Sequence, residues 1–468
     1  MLIFLWGFCS IFLLFLWGFC RIVGMKPFKR KIYEKFREWK AESNGSSALL
    51  VEGARRVGKS TVVEEFGKHE YRSYILIDFA FASVQVKELF KDLSDLNSFF
   101  RLLQFYTKTD LYERDSLIIF DEVQKFPLAR QAIKMLVKDR RYDYIETGSL
   151  ISIKENVKDI LIPSEERKIQ MNPMDYEEFC WAIGETKSFE LGREIWNAKK
   201  SFGDGVNREL MKKFRLYMIV GGMPQAVASF LETNNFSKVD LVKRDILTLY
   251  ENDFMKFDST GKISRIFDFI PAELQKNASR YQVSSVLENT RATSMLEKLS
   301  KLIDSKTVNI AYHANSPEAG LSQNVDLERF KLFVCDTGLF VTLCFKDHDF
   351  TENVIYEKLL SDKLSANLGY VYENVIAQML KAKGDELFYY TFPSTTSNHN
   401  YEIDFIVSRK NKICPIESKS GDYRRHKSLD YFAQKFSNHI LNRYLVYTKD
   451  FRKDDHILCL PLYLVPFL

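Results

Sequence analysis

Gly53-Ala54-Arg55-Arg56-Val57-Gly58-Lys59-Ser60 is the stretch whose reading decides the fold. It fits G-x-x-x-x-G-K-[ST], a loop whose glycines let backbone N–H groups close around phosphate oxygens. Before it, Ala48-Leu49-Leu50-Val51-Glu52 is an apolar run suited to a buried strand. After it, Thr61-Val62-Val63-Glu64-Glu65-Phe66 has helical character. Strand, loop and helix together aim a positive helix end at a bound anion. On this reading Gly53, Ala54, Arg55, Arg56, Val57, Gly58, Lys59, Ser60 and Thr61 form a nucleotide cradle. Lys59 reaches the β- and γ-phosphates as a catalytic cation, and Ser60 is a ligand of Mg²⁺. The alternative is a chance octet in a turn.

Working outward, Ser116-Leu117-Ile118-Ile119-Phe120-Asp121-Glu122 is an apolar strand ending in two carboxylates. Following a phosphate loop, this is the Walker B pattern. Asp121 is then a metal residue, holding Mg²⁺ through water, and Glu122 polarises the attacking water. The alternative is a solvated strand end. Tyr142-Asp143-Tyr144-Ile145-Glu146-Thr147-Gly148-Ser149 reads as a further strand with a polar tip. Thr147 or Ser149 senses the γ-phosphate there, or else caps a helix. Arg167, in Arg167-Lys168-Ile169-Gln170-Met171, is either an arginine finger reaching a neighbouring subunit or an ordinary exposed arginine. Strands alternating with helices imply a parallel sheet covered on both faces.

These stretches carry a resemblance. With Asn172-Pro173-Met174-Asp175-Tyr176-Glu177-Glu178-Phe179 and Gly221-Gly222-Met223-Pro224, they make residues 28–230 similar to a family of bacterial and archaeal AAA-type ATPases. Members bear a C-terminal domain of unknown function, and the similarity extends to about residue 440. The resemblance implies ATP rather than GTP, and a helical lid after the core. By analogy with similar ATPases it also allows a homo-oligomer.

The chain has 468 residues, 46% hydrophobic and 28% charged, which is a folded globular composition with room for about three domains. The net charge of +5 permits nucleic-acid binding without arguing for it. The seven cysteines are scattered and form no C-x-x-C, so a zinc ribbon is disfavoured and buried thiols in a reducing cytosol are expected. Residues 1–20 are almost wholly apolar and long enough to span a bilayer, with basic residues following. Phe-Leu-Trp-Gly-Phe-Cys occurs at 4–9 and again at 15–20, however, and Met25 opens a typical cytosolic start. Residues 1–24 are therefore read as a misassigned start, the alternative being a membrane anchor on a cytoplasmic body.

Residues 25–175 form the expected ATPase core and 176–262 the lid, where Lys243, Arg244 and Lys256 are read as a solvated helix face. Residues 263–350 suggest a winged-helix-like module. Tyr281-Gln282-Val283-Ser284-Ser285-Val286-Leu287 and Ala292-Thr293-Ser294-Met295-Leu296-Glu297-Lys298-Leu299 are its helix-turn-helix, offering Arg291, Lys298 and Lys301 to DNA or serving packing alone.

In residues 351–468 three pieces carry E … D … E-x-K: a helix with Glu373, a strand with Asp404, and a strand with Glu417 and Lys419. Period 2 sets Glu417 and Lys419 on one face. Asp404 and Glu417 share a Mg²⁺, Glu373 adds a ligand or outer carboxylate, and Lys419 helps deprotonate water. The pattern resembles the restriction-endonuclease-like fold. A basic run from Lys419 to Lys427 supplies charge for a phosphate backbone.

The expected fold is thus multidomain α/β: a P-loop parallel sheet, a helical lid, a winged-helix-like module and a nuclease-like α/β domain. The expected function is a Mg²⁺-dependent ATPase coupling nucleotide state to a DNA-interacting, nuclease-like domain. The alternative is a nucleotide-switched binding or assembly protein whose nuclease-like domain does not cut.

Overall fold

Short aliphatic runs build the first sheet: β1 (Ala48–Glu52), β2 (Ser73–Asp78), β3 (Ser116–Asp121), β4 (Asp143–Gly148) and β5 (Glu166–Gln170). The order is β2-β3-β4-β1-β5, and every pair is parallel. All residues of β1, β3 and β4 are buried. Their side chains alternate between two cores, Leu49 and Val51 facing one and Leu50 the other. The computed structural model describes residues 26–148, 164–276, 279–287, 292–318, 320–347, 353–361, 369–394, 400–420 and 426–468. Residues 1–24, Ser149, Arg291 and most of the basic run after Lys419 lie outside them. Among the described residues no helix is long and apolar enough to cross a membrane. Of the cysteines described, Cys180, Cys335, Cys414 and Cys459 are buried free thiols, and Cys344 is half-buried.

Helix α1 (Lys59–Glu70) follows the glycine loop, and α2 (Pro127–Asp139) follows β3. The strand order has one consequence for the site: β4 lies between β1 and β3. A side chain at the carboxyl end of β4 therefore stands between the loop and the end of β3.

A helical region follows, including α3 (Asp204–Val220) and α4 (Phe236–Phe257). Its entry is set by a capping box in which Asp175 accepts from the Glu178 amide at 2.9 Å and Glu178 accepts from the Asp175 amide at 3.1 Å. Gly222 is required by close approach, since a Cβ there would lie 2.1 Å from the Met174 carbonyl oxygen. Lys243 departs from expectation. Instead of facing solvent it is fully buried, donating to Ile219 O at 2.8 Å, Gly338 O at 3.2 Å and Tyr356 Oη at 3.0 Å. Burial pulls its pKa down to about 8, with Asp240 and Asp336 opposing. The mixed charges of α4 disguise a helix packed on more than one side. Lys256 does face solvent, paired with Asp253 at 2.6 Å.

The second sheet has eight strands: β6 (Val308–Ala314), β7 (Val325–Val334), β8 (Leu387–Pro393), β9 (Asn400–Arg409), β10 (Lys412–Ser418), β11 (Arg443–Tyr447), β12 (Arg452–Asp454) and β13 (Ile457–Pro461). Their order is β12-β13-β11-β10-β9-β8-β6-β7. Helix α5 (Ala292–Asp304) precedes β6, and α6 (Thr337–Cys344) and α7 (Gly369–Ala382) separate β7 from β8. A hairpin does follow the helix-turn-helix region, but it is not a free wing. β6 pairs with β7 on one side and, in parallel, with β8 on the other. The expected boundary at residue 350 thus cuts no hydrogen-bonded break. The first helix of the pair is a single turn, Val283–Val286. Lys298 on α5 faces inward, paired with buried Asp258 at 2.8 Å, and Lys301 points at the Phe257 carbonyl. These contacts belong to packing. One hydrophobic cluster runs from Phe36 and Phe66 through Phe214 and Tyr250 to Phe333 and Val375, joining both sheets.

Candidate active site and a second acidic site

The phosphate loop needs unusual backbone, and its sequence provides it. Gly58 has φ +95°, and a Cβ on Gly53 would sit 2.3 Å from the Met171 carbonyl. Arg56 also takes a left-handed φ of +70°. Lys59 is buried and donates to the Gly53 and Ala54 carbonyls at 2.9 and 3.0 Å. Burial lowers its pKa, while Glu122 and Asp121 oppose this. Ser60 Oγ donates to Asp121 Oδ1 at 2.8 Å. Thr147 Oγ1 donates to the same oxygen. Thr147 lies within β4, so it caps no helix. Glu122 follows with a left-handed φ of +52° and accepts from Gln124 at 2.5 Å. Burial pushes its carboxyl upward, Asp121 adding and Lys59 opposing. The structure therefore gathers Lys59, Ser60, Asp121, Glu122 and Thr147 at the carboxyl ends of the central strands. Val57 and Ala54 are buried under the loop, and Thr61 is on the exposed side of α1. Arg167 is not in this group; it pairs with Glu42 on the surface at 3.0 Å.

An oxygen-only donor set of one hydroxyl and one carboxylate suits Mg²⁺, which takes few protein ligands when it arrives with phosphates. Ser60 and Asp121 are the residues that would hold it.

Sequence reasoning missed what braces the loop. Buried Arg30 donates to Val57 O at 2.8 Å and Asn172 O at 2.7 Å, and pairs with Glu178 at 3.2 Å. From α4, Asp253 pairs with Arg55 at 3.0 Å and Tyr250 Oη donates to the Arg55 carbonyl at 3.1 Å. A cavity beside them is lined by Arg55, Tyr250, Asp253, Phe254, Ser305 and Thr307, where α4 meets the approach to β6. These contacts span 27 to 198 positions, and no local pattern signals them.

The second site lies where α7, β9 and β10 meet. A register shift leaves Asp404 and Phe405 together opposite Tyr389, a bulge that re-aims Asp404. Asp404 Oδ2 accepts from the Ser418 amide at 2.6 Å. Lys419 Nζ pairs with Glu417 at 2.6 Å, while the other Glu417 oxygen is buried with no hydrogen-bond partner among the described residues. Burial pushes Glu417 up to about 7, Lys419 opposing and Asp404 adding. Burial also pushes Glu373 up to about 7, Lys331 opposing, with Asp404 and Glu402 adding. Asp404 thus presses on both neighbours. The unexpected member is Lys331 on β7. It is 6% exposed, lies 3.5 Å from Glu373 and is hydrogen-bonded to Glu402. Burial alone would lower its pKa, but Glu373, Glu402 and Asp404 hold it above the usual lysine range.

Here a shared Mg²⁺ does not fit as expected. Among the described residues, no three or more of His, Cys, Asp and Glu converge to hold a metal ion. Glu373, Asp404 and Glu417 are neighbours, yet Lys331 and Lys419 occupy the places beside two of them.

The parallel order, the glycine loop and the Ser60–Asp121–Thr147 contacts give the first sheet and its helices a P-loop NTPase fold. Residues 45–180 match the family model of an AAA domain. Residues 211–349 and 368–465 match two domains of unknown function, DUF8612 and DUF4143. No curated protein matches the chain. Among solved structures, the Walker-type ATPase PABY2304 of Pyrococcus abyssi is 14% identical, with 68% of this chain and 96% of that one covered and a TM-score of 0.39. The Aeropyrum pernix ORC1 protein in complex with DNA is 12% identical, with 72% and 94% covered and a TM-score of 0.23. PCH-2 of C. elegans is 9% identical, with 44% and 63% covered and a TM-score of 0.25.

Proposed function

We propose that this protein binds and hydrolyses ATP with Mg²⁺ and passes its nucleotide state to the C-terminal sheet, which engages DNA. The observation that carries the first part is the shared contact of Ser60 and Thr147 on Asp121 beside buried Lys59. In the working site Lys59 leaves its loop carbonyls for the phosphates, and the loop amides hold the anion. Ser60 and Asp121 hold the metal ion, which supplies charge stabilisation to the transferred phosphoryl group. Glu122 orients water and takes its proton, and Thr147 keeps Asp121 turned inward.

Helix α4 supports the coupling. One end grips the loop through Arg55–Asp253. The other carries Asp240 and Lys243, bonded to Thr342, Tyr356 and Gly338 around α6. From there Gln378 of α7 bonds to Asp336 and Tyr217, on the helix that also bears Glu373. A second reading, in which the C-terminal domain holds its partner without cleaving it, is favoured by the Lys331 contacts. ATP turnover with and without DNA tests the proposal. Turnover that DNA changes, and that Lys59→Ala abolishes, is expected; a purified protein with neither nucleotide binding nor turnover overturns it.

A further inference from the structure

Among the described residues, each carboxylate around Asp404 has at least one oxygen with a cationic or N–H partner from this chain. Glu373 has Lys331 at 3.5 Å, Glu402 has the same ammonium, Glu417 has Lys419 at 2.6 Å, and Asp404 has the Ser418 amide at 2.6 Å. The two lysines differ. Lys419 sits beyond the end of β10 with a side chain 32% exposed, on a short tether beside its own partner. Lys331 comes from a different strand, with its side chain 7% exposed, and reaches between a helix and β9. Its ammonium lies 5.6 Å from the Tyr389 ring centroid. A buried ammonium pinned by two carboxylates does what a divalent ion does at such a cluster: it cancels repulsion among acids that burial would otherwise force to take up protons.

We propose that Lys331 is the resident cation of this site, a fixed ammonium standing where a divalent metal would otherwise gather Glu373, Glu402 and Asp404. The cluster of Glu373, Glu402 and Asp404 is then held together without metal. Its chemistry is that of a neutralised, prepacked surface for a partner, not of water activation. This inference needs no part of the ATPase reading, and its failure would leave that reading untouched.

The test is calorimetric titration of nucleotide-free, full-length protein with Mn²⁺, using Asp404→Asn to identify heat belonging to this site. Wild type is expected to show no Asp404-dependent binding up to millimolar Mn²⁺. Lys331→Met removes the ammonium and keeps the stem's bulk. It is expected to gain Asp404-dependent binding, tightened about tenfold or more, as loss of one adjacent positive charge in a poorly screened place requires. Its melting temperature should then rise on adding Mn²⁺, while the wild-type value stays put. Should Lys331→Met fail to fold, Lys331→Met with Glu402→Gln lowers the uncompensated charge and is titrated in its place. Asp404-dependent Mn²⁺ binding by wild type as tight as that of the variant overturns the proposal. So does the absence of such binding in both, because the ammonium would then not occupy a cation's position.

Discussion

At the phosphate loop, Asp121 receives two hydroxyl donors and Lys59 rests on two backbone carbonyls. At the C-terminal sheet, Glu373, Glu402 and Glu417 are all ion-paired to lysines of the same chain. Both sites set acids beside a lysine, and a sequence motif describes each. They differ in what the lysine can be released from. A carbonyl yields an ammonium to a triphosphate readily, because the exchange brings charge against charge. Two partly buried carboxylates do not, because releasing the lysine strands them in a poorly screened place. One arrangement awaits an anion, and the other has already been neutralised.

The comparison breaks most sharply at Lys59. Lys59→Ala is expected to lower kcat/KM for ATP by about 10³-fold or more, the scale of losing a charge aimed at the transferred phosphoryl group. Glu417→Ala should leave ATP turnover within about twofold; steady-state assays of both variants check this, and comparable losses would erase the distinction between the sites. Next in size is stability against pH. The folded Glu417 pKa of about 7 lies above the ordinary carboxylate value, so the folded state holds its proton more tightly. That contribution is present at low pH and is lost as pH rises toward and through 7. Relative to wild type, Glu417→Gln should gain about 2–3 kcal/mol in urea unfolding between pH 5 and pH 8. A flat difference would mean that Glu417 is ionised throughout. A comparable effect is expected at the first sheet. Arg130 clamps buried Glu166 with two bonds of 2.9 Å, beside buried Glu146. Arg130→Met should cost about 2–4 kcal/mol in the same assay, since it leaves a charge uncompensated. The smallest effect is at Asp253, whose pairing with half-exposed Arg55 is worth under about 1 kcal/mol. Asp253→Asn frees Arg55 for phosphate and should tighten ATP binding about two- to threefold by equilibrium titration; weaker binding would show that the pair positions the loop instead.

Legibility divides along the same line. The loop, Asp121 and Thr147 could be read because their chemistry is set by neighbours in sequence: a glycine at φ +95°, a strand end, a strand tip. The parallel sheet followed from apolar runs alternating with helices. Asp404, Glu417 and Lys419 were legible as a motif, and the structure does bring them together with Glu373. What escaped was cancellation from afar. Lys331 stands in Phe330-Lys331-Leu332-Phe333, a run that reads as an ordinary strand, and its partners lie 42 and 71 positions away. Lys243 was misread for a related reason, since periodicity reports one buried face and α4 has more than one. The hairpin of β6 and β7 was legible, but its parallel pairing with β8 depends on a meeting of segments some 75 residues apart, as between Ala311 and Leu387.

That pairing bears on how the molecule can be taken apart. The matched regions end at 349 and resume at 368, which invites a cut between them. Such a cut would strip β8 of one of its two neighbours and bare a row of unsatisfied amides and carbonyls, an invitation to stick to other copies. A piece meant to behave alone in the test tube has to begin upstream of Val308, carrying the hairpin along.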